Sequence, residues 1–439
     1  MGKLAWYAAE RRKLSKKLYA RVSSAPEDEP LPVIVILKDG VAHDDEEIRE
    51  RLSSLGGKIR RDLPILGGFA ALVPSKALAE IVPHPKIKGV HLDRDAHPCL
   101  DIALPSVSGD AAQAAGYTGR GVTIAVVDSG IDPHPDFTRP TSRIVAWYDA
   151  VNHEPDPYDD HGHGTHVAGI AAGNGYASDG KYRGVAPEAG IAAVKVAEAD
   201  GSAPMSQIIE GLQWVLENRE KYHIRVVNLS LGSDPSEPYW NDPLCLAVEK
   251  LWRAGLVVAA AAGNDGPLPG SIDTPGNDPL IITVGAIDDR GTVARDDDTV
   301  PDFSSRGPTN DGVPKPELYA PGVRITAPSP PDGYVERTGT SMATPFVSGA
   351  AALLLAKEPS LRPREVKRRL RAAAERSCPL CLRGGIRRLN VRGLLGLPEE
   401  KRERAGEEKE EAARDSGRLI RKRSSPAIAA VLFLALLMA

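Results

Sequence analysis

Val122-Thr123-Ile124-Ala125-Val126-Val127-Asp128-Ser129-Gly130 is the stretch on which the fold turns. A half-exposed strand alternates apolar and polar residues, whereas this run is almost unbroken until an acid and a glycine stop it. That is the pattern of a strand buried on both faces. Comparable runs follow at residues 191–196, 226–231, 256–262 and 280–284, and segments 166–172, 206–221, 243–254 and 342–356 carry the spacing of helices. Short apolar strands alternating with helices predict an α/β fold, a parallel sheet with helices on both faces.

Upstream the pattern differs. A strand at 33–37, a helix over 44–55 stopped by Gly56-Gly57, strands near Ile59 and at 69–73, a helix after Ser75 and a strand near Val90 follow one another closely. This order predicts the split β-α-β-β-α-β arrangement of a small α+β, ferredoxin-like domain. The expected organisation is a polar arm (1–31), this small domain (32–99), a large domain (100–397), a charged linker (398–425) and an apolar tail (426–439).

The 439 residues carry 42% hydrophobic residues and a formal charge of -4, which suits a globular enzyme and excludes a nucleic-acid partner held by a basic surface. Glutamine occurs only at 113, 207 and 213 beside 26% charged residues, a balance found in heat-adapted proteins. Four cysteines are too few for a disulfide framework in so long a chain. Cys378 and Cys381 alone have motif spacing, and read as thiols or a local disulfide ahead of a zinc or redox pair.

The run at 4–9 is short for a secretion signal and is followed by Glu10, Arg11, Arg12 and Lys13. The compartment is therefore unassigned, with intracellular and membrane-associated settings both open. Residues 426–439 are apolar and follow Arg421, Lys422 and Arg423. At about 1.5 Å per residue they span roughly 21 Å as a helix, against a hydrocarbon core of about 30 Å, so the expectation is weak membrane association.

In an open parallel sheet, functional groups gather beyond the carboxyl ends of the strands. Asp128 follows the first run, Asn228 to Gly232 close the third, and Gly263-Asn264 follow the fourth. His163 and Ser341 each stand before an apolar helix. A serine hydroxyl needs an imidazole to accept its proton, and the imidazole needs a carboxylate to fix its tautomer. Asp128, His163 and Ser341 supply those groups, and the Asn264 amide with the Ser341 N–H supplies donors for an oxyanion.

These segments (Val126 to Gly130, His163 to Gly169, Asn228 to Gly232, Ala261 to Asn264 and Gly339 to Pro345) together resemble the subtilase family of serine proteases. The resemblance covers about residues 100–396, and 32–98 are similar to the family's inhibitory propeptide. It implies a subtilisin-like fold and a serine endopeptidase acting on proteins and peptides. It implies that Asp128 orients the imidazole, that His163 is general base and then acid, that Ser341 is the nucleophile and that Asn264 is the oxyanion donor. Ser230, Leu231 and Gly232 would pair with extended substrate, with Gly201, Ser202 and Ala203 on the opposite edge. Strand addition of that kind reads backbone more than side chain. A self-processing precursor follows, cut near the Cys99-Leu100 bond, with its own propeptide as inhibitor.

By the same resemblance Asp273 falls near the base of the pocket for the residue before the scissile bond. An inward carboxylate there would favour lysine or arginine, while the alternative is an aspartate capping the turn Thr274-Pro275-Gly276. The chemistry requires no cofactor. Family members often bind calcium and Asp136 sits where one ligand commonly lies, yet residues 174–183 do not resemble the family's calcium loop, so no metal is assigned. His161, His163 and His166 lack the spacing of a zinc helix, and His161 and His166 read as structural neighbours. Two rivals remain from the sequence: a silent peptide-binding scaffold and a hydrolase of small esters.

Overall fold

The computed structural model describes residues 30–92, 100–377 and 386–398, with individual positions between 13 and 29. The chain separates into two compact units, Met1–His97 and Pro98–Ala439. Cys99, Cys378, Cys381, the linker expected over 398–425 from residue 399 onward, and the tail over 426–439 lie outside the described residues.

In the first unit four strands, β1 (Pro30–Leu37), β2 (Lys58–Leu63), β3 (Gly68–Pro74) and β4 (Ile87–Leu92), form a sheet in the order β2-β3-β1-β4. Its neighbours are antiparallel. Along β1 burial alternates strictly, so Leu31, Val33, Val35 and Leu37 face a core while their neighbours are partly open. Helix α1 (Glu46–Ser54) starts where the Asp45 carboxylate accepts from the Ile48 N–H at 3.2 Å, and buries Ile48 and Leu52. Helix α2 (Leu78–Ile81) is a single turn that adds Leu78 and Ile81. The strand order is that of the split arrangement predicted from the pattern of short elements.

The second unit is built on the run that opened the sequence reading. That run is β5 (Thr123–Asp128), and all six of its residues are buried. The strands that follow are β6 (Ile144–Asp149), β7 (Gly190–Lys195), β8 (Ile224–Leu229), β9 (Val257–Ala261), β10 (Ile282–Ile287) and β11 (Leu318–Pro321). Then come the hairpin strands β12 (Ile325–Ser329) and β13 (Gly333–Arg337), and finally β14 (Glu375–Ser377) and β15 (Ile386–Arg388). Among the described residues the large sheet runs β14-β15-β11-β10-β9-β8-β5-β7-β6, parallel from β6 to β11.

Sequence reading found β5, β7, β8, β9 and β10 but not β6. It is missed although Ile144 to Tyr148 is an apolar run; at the sheet edge β6 is buried at only two of its six positions. Helices α3 (His163–Ala172), α4 (Met205–Asn218), α5 (Pro243–Arg253), α6 (Thr340–Lys357) and α7 (Pro363–Ala373) cover the sheet. Helix α6 is buried all round from Met342 to Leu355, as expected of a helix running through a core and not across it. No helix among the described residues is long and apolar enough to cross a membrane.

Leu353 is fully buried in the middle of α6. Leu353→Ala should lower the stability of the full chain by about 2–5 kcal/mol. The readout is a lower urea midpoint, measured on the Ser341→Ala background to prevent self-digestion; an unchanged midpoint would contradict this role for α6.

Candidate active site

The carboxyl ends of the parallel strands open onto a cleft of about 610 Å³ lined by Asp128, His163, Ser341 and Asn264. Each is delivered by a different element. Asp128 is the last residue of β5 and is 1% exposed. Its Oδ1 accepts the Ser129 N–H at 2.8 Å and pairs with His163 Nδ1 at 2.7 Å.

His163 is the first residue of α3, and the helix begins there because an acid holds its open end. Asp159 accepts from the Gly162 N–H at 2.7 Å and from the Thr165 N–H and hydroxyl at 2.9 and 2.6 Å. Ser129 ties this cap to β5: its hydroxyl donates to Asp159 at 2.8 Å and accepts the Gly164 N–H at 2.9 Å. Gly164 allows the helix to come this close, since a Cβ there would lie 2.1 Å from the Gly130 carbonyl oxygen. Sequence reading named Ser129 and Thr165 only as parts of motifs and missed Asp159. The one available signal was a buried-type Asp-x-x-Gly-x-x-Thr run ahead of an apolar helix.

Burial opposes a charge on the His163 ring, but the Asp128 carboxylate and its hydrogen bond outweigh it, leaving the imidazole above the ordinary histidine range. His166 is the opposite case. Burial drives it down to about 3, and its Nε2 faces the Ile325 and Val335 carbonyls at 3.0 and 3.1 Å, so it is a neutral structural ring. His161 lines the cleft, its ring centroid 6.1 Å from that of His163.

Ser341 is the second residue of α6, where a backbone N–H has no acceptor inside the helix. Its Oγ donates to the Ser230 carbonyl at 3.1 Å, and the described residues contain no hydrogen bond between it and His163. The Ser230 hydroxyl returns a bond to the Ser341 carbonyl at 2.9 Å and takes one from Asn228 at 2.9 Å, while Ser348 donates to Asn228 at 2.7 Å. The end of β8 is thereby locked to the start of α6. Asn264 is oriented by its amide oxygen, which accepts from the Thr340 N–H at 3.0 Å and hydroxyl at 3.2 Å, leaving Nδ2 as the outward donor.

The remaining expected residues also line this cleft: Ser230, Leu231 and Gly232 on one side, Gly201, Ser202 and Ala203 on another, and Asp273 between Gly232 and Gly263. Asp273 does not cap the turn that follows it. Its Oδ1 is buried without a hydrogen-bond partner, and burial together with Asp265 and Asp234 pushes its carboxyl up to about 7.

The position considered for calcium fits a cation poorly. The fully buried Asp136 carboxylate already receives the Ala177 N–H at 2.9 Å and the Tyr334 hydroxyl at 3.0 Å, which are hydrogen donors and not further oxygen ligands.

Fold and cleft together define a serine endopeptidase of the subtilisin type. Residues 119–411 match the model of the Subtilase family, Peptidase S8, and the chain belongs to that family. It is 42% identical over 328 residues to serine protease AprX of Bacillus subtilis, covering 70% of this chain and 74% of that one. Subtilisin E of the same species is 37% identical over 335 residues, covering 74% and 80%. Among solved structures, a cold-adapted subtilisin-like serine proteinase superposes with a TM-score of 0.52 at 32% identity, over 62% of this chain and 90% of that chain.

Asp159→Ala would strand several buried donors, each costing about 1–3 kcal/mol. The expected result is a urea midpoint well below that of the Ser341→Ala parent; an unchanged midpoint would show that the cap carries no weight.

Proposed function

We propose that Asp128, His163 and Ser341 are the catalytic triad of this endopeptidase, with Asn264 and the Ser341 N–H as its oxyanion hole. The observation that carries the reading is the 2.7 Å pairing of His163 Nδ1 with Asp128 in the cleft that also holds Ser341 and Asn264. Rotation about the Cα–Cβ bond of Ser341 exchanges the Ser230 carbonyl for His163 Nε2 as the acceptor of its hydroxyl. Substrate that enters the cleft and competes for that edge favours the exchange.

Oγ then attacks the peptide carbonyl while Nε2 takes its proton. The carbonyl oxygen becomes an oxyanion held by the Ser341 N–H and Asn264 Nδ2. His163, now charged and stabilised by Asp128, protonates the leaving amine, and water releases the acyl half by the reverse sequence. Ser230, Leu231 and Gly232 pair with one edge of the extended substrate, and Gly201, Ser202 and Ala203 bound the other.

The small domain is read as a propeptide that assists folding and blocks the cleft until the enzyme cuts near Cys99-Leu100. Support comes from its separation as a compact unit ending at His97. Residues 426–439, with the cations before them, are read as a weak membrane contact.

Purified precursor should process itself and digest casein, and Ser341→Ala should do neither and lose labelling by a fluorophosphonate. A Ser341→Ala protein that still digests casein overturns the assignment. Asn264→Ala should lower turnover by about 10²–10³, the loss known for this donor in subtilisin-type enzymes. The mechanism needs a neutral imidazole, and the Asp128 carboxylate favours the charged one. Activity should therefore fall with decreasing pH through a value above the ordinary histidine figure of about 6.5. An acid limb in kcat/KM below that figure would contradict the pairing.

A further inference from the structure

Three arginines meet at one edge of the large sheet, away from the cleft, with no acid to balance them. Arg376 of β14 and Arg387 of β15 are direct partners across an antiparallel pair, so both project from the same face. Ile386 and Arg388, on either side of Arg387, turn the other way and are buried. Arg371, in the last turn of α7, completes the group. Burial, followed by the charges of Arg371 and Arg376, lowers the Arg387 guanidinium from its ordinary value. The carbonyl end of α7 favours a cation and so accounts for Arg371 alone. Like charges directly opposite one another in a strand pair oppose the pairing, and Arg376 and Arg387 stand in that relation.

The acids nearby are committed elsewhere. Glu375 pairs with Arg295 and accepts from the Asn390 amide at 2.9 Å. Glu365 pairs with Arg368 and Arg369 at 2.6 and 3.2 Å, and buried Glu317 is held by Lys315 and Lys367. No ion pair among the described residues includes Arg364, Arg371, Arg376 or Arg387. Arg364 and Arg368 are exposed at helical spacing from Arg371 and extend the patch along α7. Residues 399–425 bring no net counter-charge, since their eight acids stand among nine bases.

We propose that this patch docks on the anionic phosphates of a lipid surface, so that the catalytic unit is held at a membrane by charge as well as by an apolar tail. The choice of a lipid partner rests on the reading of residues 426–439 given under Proposed function. A guanidinium fork engages two phosphate oxygens at once, which relieves the repulsion within the cluster. A short apolar contact is weak by itself and becomes stable when a basic patch is added to it. The two can reach one surface: the described chain runs from Arg388 to Pro398, and a flexible chain of the 27 residues that precede Pro426 spans roughly 30 Å. A nucleic acid is the poorer partner, because residues 363–377 and 386–388 include no aromatic side chain on which a base could stack.

The test is sedimentation of the full chain, as Ser341→Ala, with phosphatidylcholine vesicles made with and without phosphatidylglycerol. Binding should be stronger to the anionic vesicles and should fall as salt is raised. Joint replacement Arg371→Gln, Arg376→Gln and Arg387→Gln should lower the partition coefficient on anionic vesicles by on the order of 10², roughly fivefold for each cation. Lysine at the same three positions should keep most of the binding, which separates lost charge from a lost fold. Equal binding to both vesicle types overturns the proposal, as does a partition coefficient unmoved by the glutamine variant. RNA that strips the protein from anionic vesicles, with affinity lost in the glutamine variant, overturns it in favour of a nucleic-acid surface. A glutamine variant that self-associates while binding vesicles as before shows that the arginines only guard a sheet edge, and overturns it too. The tail is tested apart by Leu434→Glu. If that change leaves all binding intact, the reading of 426–439 fails, while arginine-dependent binding to anionic vesicles still upholds the patch.

Discussion

A buried carboxylate calls for donors, and at Asp128 the two that it receives converge on Oδ1, while the buried Oδ2 has no hydrogen-bond partner among the described residues. The acid is buried at the end of a strand that is itself buried, so solvation cannot come from outside. One donor is the N–H of the next residue, and the second is the ring of His163, which only a helix beginning at that residue can present. Holding the helix there takes another acid, Asp159, and a hydroxyl, Ser129, that fastens the two supports together. The chain of dependence runs from one buried charge to strand, cap and helix start.

Ser341 is placed by a different device. Ser348, Asn228 and Ser230 form an unbroken relay of hydrogen bonds, buried throughout, from the middle of α6 back to the carbonyl of its second residue. Such networks are costly when half satisfied, and this one is complete. Farther along the sheet Lys315, Glu317 and Lys367 do similar work. Glu317 meets Lys315 at 3.0 Å and Lys367 at 2.7 Å, and burial still brings Lys315 down to about 8. That cluster pins β11 and α7 to the start of β10 through the Thr283 N–H and hydroxyl.

What could be read in the sequence follows from how each feature is encoded. Strands β5, β7, β8, β9 and β10 announce themselves because burial on two faces leaves no room for polar residues. The edge strand β6 and the hairpin strand β13 are mostly open, and sequence reading passed over both even though Ile144 to Tyr148 of β6 is apolar. The groups at strand ends and helix starts were legible because chemistry confines them to a few residue types in short contiguous motifs. Asp159 was not, since its partners Ser129, Gly162 and Thr165 lie on both sides of it in the chain. Asp234 and Asp265 escaped notice for the same reason in stronger form. Each looks like an ordinary loop acid; the pairing of Ser233 with Thr274 brings Asp234 to Asp273, while Asp265 arrives there beside Asn264, held to Ser305.

The two glycines that leave room for Asp273 in the cleft, Gly232 and Gly263, are not equivalent. Gly263 has a φ of +103°, a conformation that L-residues with side chains avoid, so that position is locked by backbone geometry as well as by space. Gly232 carries no such backbone constraint, and a methyl group there would press on the Asp273 Cβ from 3.0 Å. A side chain at 232 therefore asks its neighbours, the Thr274 carbonyl oxygen at 3.2 Å among them, to yield by a few tenths of an ångström, whereas at 263 the backbone conformation itself stands in the way.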